Sequence, residues 1–162
     1  MRLIISAIGL LKKGPESDLV ADYLKRLRGP AKQIGISQVE ILESKERSAN
    51  SGGGVNRKNL EAELLVSQLP NDRKVIALDE HGRHVTSREL SNLVQHNLDQ
   101  GLQNLCFVIG GADGLSETVL ELAEDKICLG KMTWPHQLVR VMLVEQLWRS
   151  VSILTNHPYH RD

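Results

Sequence analysis

The chain has 162 residues, 41% of them hydrophobic and 25% charged, with a formal net charge of zero. That balance fits one ordinary globular domain with its own core. It excludes a disulfide-stapled miniprotein, a disordered tail and a general polyanion binder, which would be basic throughout.

The opening MRLIISAIGLLKKG carries its charges after a short apolar core and has no small-residue cleavage site. It reads as a first strand, not a signal peptide. RLIISAIG (2–9), QVEILE (38–43), KVIALDE (74–80), LCFVIGG (105–111) and KICLG (126–130) form the predicted strands. Most are nearly continuous Val/Ile/Leu runs, as in a sheet covered on both faces. Helices are predicted over 16–28, 58–69, 87–100, 117–124 and 135–155. Thr86-Ser87-Arg88-Glu89 is a capping box for the third, and Ser116 is an N-cap for the fourth. Pro135 suits the first turn of the fifth, and Pro158 bars its continuation. The alternation predicts an α/β fold: a single domain over 1–162 with a mostly parallel sheet flanked by helices. The polar, glycine-rich stretch 45–56 reads as a loop without the Gly-Lys-Ser/Thr of a phosphate cradle. Cys106 and Cys128, each inside an apolar run, read as buried reduced thiols. The apolar stretch near the C-terminus is broken by Arg140 and Glu145, so no membrane span and a cytoplasmic location are expected.

Charge is unevenly placed. Residues 1–58 carry 11 Lys/Arg against 6 Asp/Glu, residues 59–130 carry 5 against 12, and residues 131–162 carry 4 against 2. A nucleic-acid partner would therefore be met by a local surface. Five scattered aromatics are too few for a base-stacking platform.

The stretch CFVIGGADGLS, Cys106 to Ser116, places a glycine turn between a strand and a helix. Gly110-Gly111-x-x-Gly114 is neither the dinucleotide G-x-G-x-x-G nor a Walker loop, and Asp113 would repel a pyrophosphate. Two readings stand: a tight turn that binds nothing, or a close approach to a phosphate-free ligand such as S-adenosylmethionine. The segments IALDEHG (76–82), ending in a tight glycine turn, and CLGKMTWPHQ (128–137) end two further strands. Three carboxyl ends of a parallel sheet, at Leu78, Gly110 and Leu129–Trp134, are thus able to close around one small molecule.

The last helix is apolar too far round for one buried stripe, so it should bury a second side, against another subunit. Glu145 and Arg149 are spaced as an i,i+4 ion pair. Arg140, set among apolar residues, either meets a carboxylate or faces a polar ligand. His136 shares its face. The terminal NHPYHRD is either a fraying tail or a functional group of residues. Tyr159 is able to stack, His160 to move a proton and Arg161 to hold a phosphate.

LDE-x-G, FVIGGADGLS, KMTWPHQLVRVMLVEQLWRS and the terminal PYHRD together resemble the RlmH family of SPOUT RNA methyltransferases over nearly the whole chain. The resemblance implies an α/β fold with a C-terminal trefoil knot, in a homodimer. It also implies transfer of a methyl group from S-adenosylmethionine to N3 of a pseudouridine in 23S ribosomal RNA, on the assembled ribosome. Neither a metal nor a membrane is implied. By matching motifs, cofactor contacts fall on Leu78, Gly110, Leu129, Gly130, Lys131, Met132, Thr133 and Trp134, the last being more often Phe or Leu in the family. Asp113 stays outside the catalytic set. His160 is the expected base, Tyr159 the stacking group, and Arg161 and Arg140 the contacts to phosphate or a developing anion. His136 is a second candidate base. Tail and pocket are expected to come from different subunits. The competing readings are another RNA target such as transfer RNA, a non-enzymatic ribosome-binding dimer and, more remotely, a nicotinamide- or nucleotide-dependent enzyme.

Overall fold

A computed structural model of the chain describes residues 1–47 and 54–161. Of the predicted loop, residues 48–53 lie outside the described residues, 45–47 are irregular, and 54–56 are helical, so the second helix begins earlier than expected. All ten predicted elements are present. The strands are β1 (Arg2–Ile8), β2 (Gln38–Ser44), β3 (Lys74–His84), β4 (Asn104–Ile109) and β5 (Asp125–Cys128). The helices are α1 (Pro15–Gln33), α2 (Gly54–Ser67), α3 (Ser87–Asp99), α4 (Glu117–Leu122) and α5 (His136–Leu154).

The strands form one sheet in the order β2-β1-β4-β3-β5, with every pairing parallel. All five carboxyl ends therefore lie along one edge. The period of two along each strand separates two cores. Leu3, Ile5, Ala7, Leu105, Phe107 and Ile109 face α1, α3 and α5, while Ile4, Ile8, Val75, Ala77, Cys106 and Val108 face α2 and α4. Each fully buried Leu, Ile, Val or Phe among them contributes about 1.5–3 kcal/mol.

The capping box of α3 is formed: Glu89 N–H donates to Thr86 Oγ1 at 3.2 Å, and Thr86 N–H to Glu89 Oε2 at 2.6 Å. Ser116 caps α4 through Val119 N–H. Both cysteines are free and buried.

Three further expectations change. Helix α1 does not stop before Gly29-Pro30 but runs on to Gln33. Proline removes one helical N–H, and that loss is outweighed locally by burial of Leu27 and Ala31 on the core face. Strand β3 continues past residue 80 to His84, with its pairing to β5 shifted between Leu78 and Arg83. Gly82 therefore does not make a tight turn. It lies against β5, where a Cβ would come within 2.7 Å of the Ile127 backbone. The broad apolar surface of α5 is largely used inside the chain, since α5 packs on the sheet and between α1 and α3.

Candidate functional site

The carboxyl ends of β3, β4 and β5 enclose a cleft of about 240 Å³. Leu78, Gly110, Leu129, Gly130, Met132, Thr133 and Trp134 all line it, together with Asp79, Glu80, Asp113, His136 and Val139. Of the cofactor residues expected from sequence, only Lys131 is missing from the wall; it is exposed beside the cleft. The three strand ends do meet, because β4, β3 and β5 are neighbours in the sheet.

Sterics fix the glycine turn. A Cβ on Gly110 would stand 2.5 Å from the Gly114 carbonyl carbon, so the turn closes only with glycine there. Its outer side is held residue by residue from the β2–α2 region. Glu61 Oε2 lies 2.9 Å from where a Cβ of Gly111 would be, Ala112 N–H donates to Glu46 Oε1 at 3.4 Å, and Arg57 Nε–H donates to Asp113 Oδ2 at 2.7 Å. Glu61 is 2% exposed. It accepts from Arg47 N–H at 3.0 Å, while its Oε2 has no hydrogen-bond partner among the described residues. Burial holds its carboxyl above the usual glutamate range, against the lowering effects of that bond and of Arg57. No sequence pattern marks Glu61, an acid on a helix whose partners are far along the chain.

The cleft's electrostatics select its ligand. The Asp113 charge is paired with Arg57, so by itself it repels a phosphate less than the sequence suggested. The stronger argument is the lining as a whole: Asp79 and Glu80 beside the paired Asp113, with no Lys or Arg among the described residues that line it. That wall favours a cationic ligand and disfavours a pyrophosphate. The indole Nε1–H of Trp134, which lines the cleft, is buried without an acceptor among the described residues. A ligand with an apolar or aromatic body, a cationic centre and an acceptor for that N–H suits the cleft. Adenosylmethionine has all three, so the residues present fit it.

Arg140 has no exposed surface. It meets a carboxylate, pairing with Glu43 and donating to the carbonyls of Ile8 at 3.1 Å and Gly9 at 3.0 Å. Burial lowers its pKa and Glu43 opposes that shift. The contact to phosphate expected of it has no surface to act through in this chain. Its place is beneath the end of β1, where Glu43 also accepts from Leu11 N–H at 3.3 Å. His136, one turn earlier on α5, sits over Gly9 and on the wall of the cleft.

The tail is ordered against the other half of α5. Tyr159 O–H donates to Glu145 Oε1 at 2.9 Å, its ring lies 5.4 Å from Trp148, and the Arg149 guanidinium sits 4.8 Å from its centroid. The expected Glu145–Arg149 ion pair is formed and so doubles as the seat for Tyr159. Burial, then the bonds to Glu145 and Tyr23, hold the phenol well above its ordinary pKa. His160 is half-buried and Arg161 exposed. From His136 to Glu145 is nine residues, about 13 Å along a helix. The cleft end of α5 and the seat of the tail are thus about two and a half turns apart along the helix.

Comparison with known proteins agrees with this architecture. A family model described as "Predicted SPOUT methyltransferase" matches residues 1–160. "Ribosomal RNA large subunit methyltransferase H" of Allorhizobium ampelinum is 47% identical over the full length of both chains. The proteins of that name from Paramagnetospirillum magneticum and Methylocella silvestris are 46% and 43% identical, over 99% and 100% of each chain. An α/β chain of this length, with its cleft at a glycine turn and these full-length relatives, belongs to the SPOUT methyltransferase family.

Proposed function

We propose that the protein transfers a methyl group from S-adenosylmethionine to N3 of a pseudouridine in the 23S RNA of the assembled ribosome. The observation that carries this reading is the acid-lined cleft, free of Lys and Arg among the described residues, in a chain whose full-length relatives bear the name of a large-subunit RNA methyltransferase. When bound, adenosylmethionine supplies a methyl group on a sulfonium, open to in-line attack.

The chain's own residues supply alignment and proton transfer. Leu78, Gly110, Leu129, Gly130, Met132, Thr133 and Trp134 would hold the donor, and the nearby carboxylates of Asp79 and Glu80 would favour its positive charge. Pseudouridine N3 has to shed a proton before or during attack, and the His160 imidazole takes it. Tyr159 stacks on the extruded base and Arg161 holds the backbone. Arg140 acts through the end of β1 and not by touching RNA.

The spacing along α5 between its cleft end and the seat of the tail supports a site completed by a partner's tail in a homodimer. Apolar side chains left on α1 and α5 support the same reading: Leu19 is 45% exposed and Leu138 37%. The segment that follows β5 is read as the trefoil-knotted one, and the substrate places the protein in the cytoplasm. No helix among the described residues is long and apolar enough to cross a membrane.

The test is incubation with methyl-labelled adenosylmethionine and ribosomes from cells lacking the gene, beside free large subunits and bulk transfer RNA. Label in 23S RNA from whole ribosomes, lost in His160→Ala, is the expected result. Label confined to transfer RNA would overturn the substrate. Absence of adenosylmethionine binding by calorimetry would overturn the chemistry.

A further inference from the structure

Charge is unevenly divided along the sheet's carboxyl edge, with Glu46 among the basic residues, where it is held on Ala112 N–H, and Lys131 beside the acidic cleft. The β4 and β3 ends bring Asp113, Asp79 and Glu80 to the cleft. The β2 and β1 ends bring Lys45 and Arg47, and Lys12 and Lys13, all four exposed. Among the described residues, none of these four side chains is engaged in an ion pair, whereas Arg2, Arg26 and Arg83 on other parts of the surface are paired with Glu40, Asp22 and Asp125.

The two basic segments leave the sheet side by side. Gly9 N–H donates to Ser44 O at 2.8 Å, and Leu11 N–H to Glu43 Oε1 at 3.3 Å. Their bases are fixed from below by the buried Arg140, which holds Glu43 and the carbonyls of Ile8 and Gly9. They are tied to the cleft as well, through Glu46 on Ala112 and Glu61 on Arg47. The basic half is therefore anchored to the acidic half.

A cationic donor and a polyanionic substrate need opposite fields. A lysine in the cleft would repel the first, and an acid on the rim the second. From β2 to β3 the edge spans three strand spacings, about 14 Å, enough to keep the two fields apart while both ligands meet.

We propose that Lys12, Lys13, Lys45 and Arg47 form the docking surface for the phosphate backbone of the RNA substrate, laying it across the β1 and β2 ends so that the target base reaches the cleft. This rests on the RNA methyl transfer proposed above. It adds that the N-terminal third of the chain, not the tail alone, carries affinity for RNA.

The test uses full-length protein with Lys12→Ala/Lys13→Ala and Lys45→Ala/Arg47→Ala pairs, reading ribosome KM and direct ribosome binding by sedimentation across salt concentrations. Each pair should raise KM about tenfold and lower the salt slope by about 0.7–0.9 per lost phosphate contact. Adenosylmethionine affinity should be unchanged, and Lys12→Arg/Lys13→Arg should restore KM. Unchanged binding and salt slope in both pairs overturns the inference. So does a loss of adenosylmethionine affinity that accounts for the whole effect. If the wild type binds ribosomes but labels no 23S RNA, the proposed reaction fails, and loss of that binding in the pairs still upholds the docking surface.

Discussion

Replacing Arg140 with methionine isolates what a fully buried guanidinium does in this fold. Methionine fills much of the same space but removes the bonds to Glu43, Ile8 O and Gly9 O. Hydrogen bonds from a charged donor contribute about 1.5–3 kcal/mol each. Three features lower the total. Glu43 stays 26% exposed and keeps the Leu11 N–H, Arg140 Nε has no partner, and burying the guanidinium is itself unfavourable. The net loss should come to about 3 kcal/mol, the low end for breaking a buried pair. In a chain of 162 residues that lowers Tm by about 6–12 °C. Urea unfolding of Arg140→Met, Glu43→Gln and the double variant reads it directly. The double should cost less than the sum of the singles by about 1–2 kcal/mol. A loss below about 1 kcal/mol in Arg140→Met, or strict additivity, would refute the claim that this pair fixes the end of β1.

Gly110→Ala forces a Cβ to within 2.5 Å of the Gly114 carbonyl. It should cost about 1–3 kcal/mol of stability and weaken adenosylmethionine binding about tenfold or more by calorimetry. Burial raises the pKa of Glu61, so the stability its protonated form supports is complete below the ordinary glutamate pKa and declines as pH rises through the raised value. Glu61→Gln keeps an acceptor for Arg47 N–H and cannot ionise. Its stability should fall less than wild type from about pH 4 upward, and parallel curves would contradict this. Tyr159→Phe removes the bond to Glu145, and should cost about 1 kcal/mol and speed proteolysis of the tail. Burial pushes the Cys106 thiol up to about 11, so iodoacetamide at pH 8 should leave it unlabelled until the protein unfolds.

Local signals carried the fold. Continuous Val/Ile/Leu runs such as LCFVI mark strands wherever both faces are covered, and Thr86 and Ser116 mark helix starts through bonds made within three residues. Elements were misread where tertiary packing overrode a local rule. Gly29-Pro30 looks like a helix end, yet Ala31 is needed in the core. Gly82 looks like a turn, yet it is a backbone-to-backbone approach to a strand more than 40 residues later. The cleft was legible because parallel strands place their ends together. Its charge logic was not. Arg57 and Asp113 are 56 residues apart and Glu43 and Arg140 are 97, so sequence states that a buried arginine needs a carboxylate without saying which one. Nor does composition reveal that Tyr159 folds back onto Glu145 of its own chain.

The central claim is that this cleft and this tail form one methyl-transfer site for ribosomal RNA across two subunits. The most direct measurement mixes two defective variants, Gly110→Ala with its tail intact and His160→Ala with its cleft intact, at an adenosylmethionine concentration too low for the weakened cleft, and counts methyl groups entering 23S RNA of whole ribosomes. Random pairing in a two-fold dimer should restore about a quarter of wild-type activity, since one site in each mixed dimer is whole. Activity no higher than that of either variant alone, while wild type labels the RNA under the same conditions, would contradict the account.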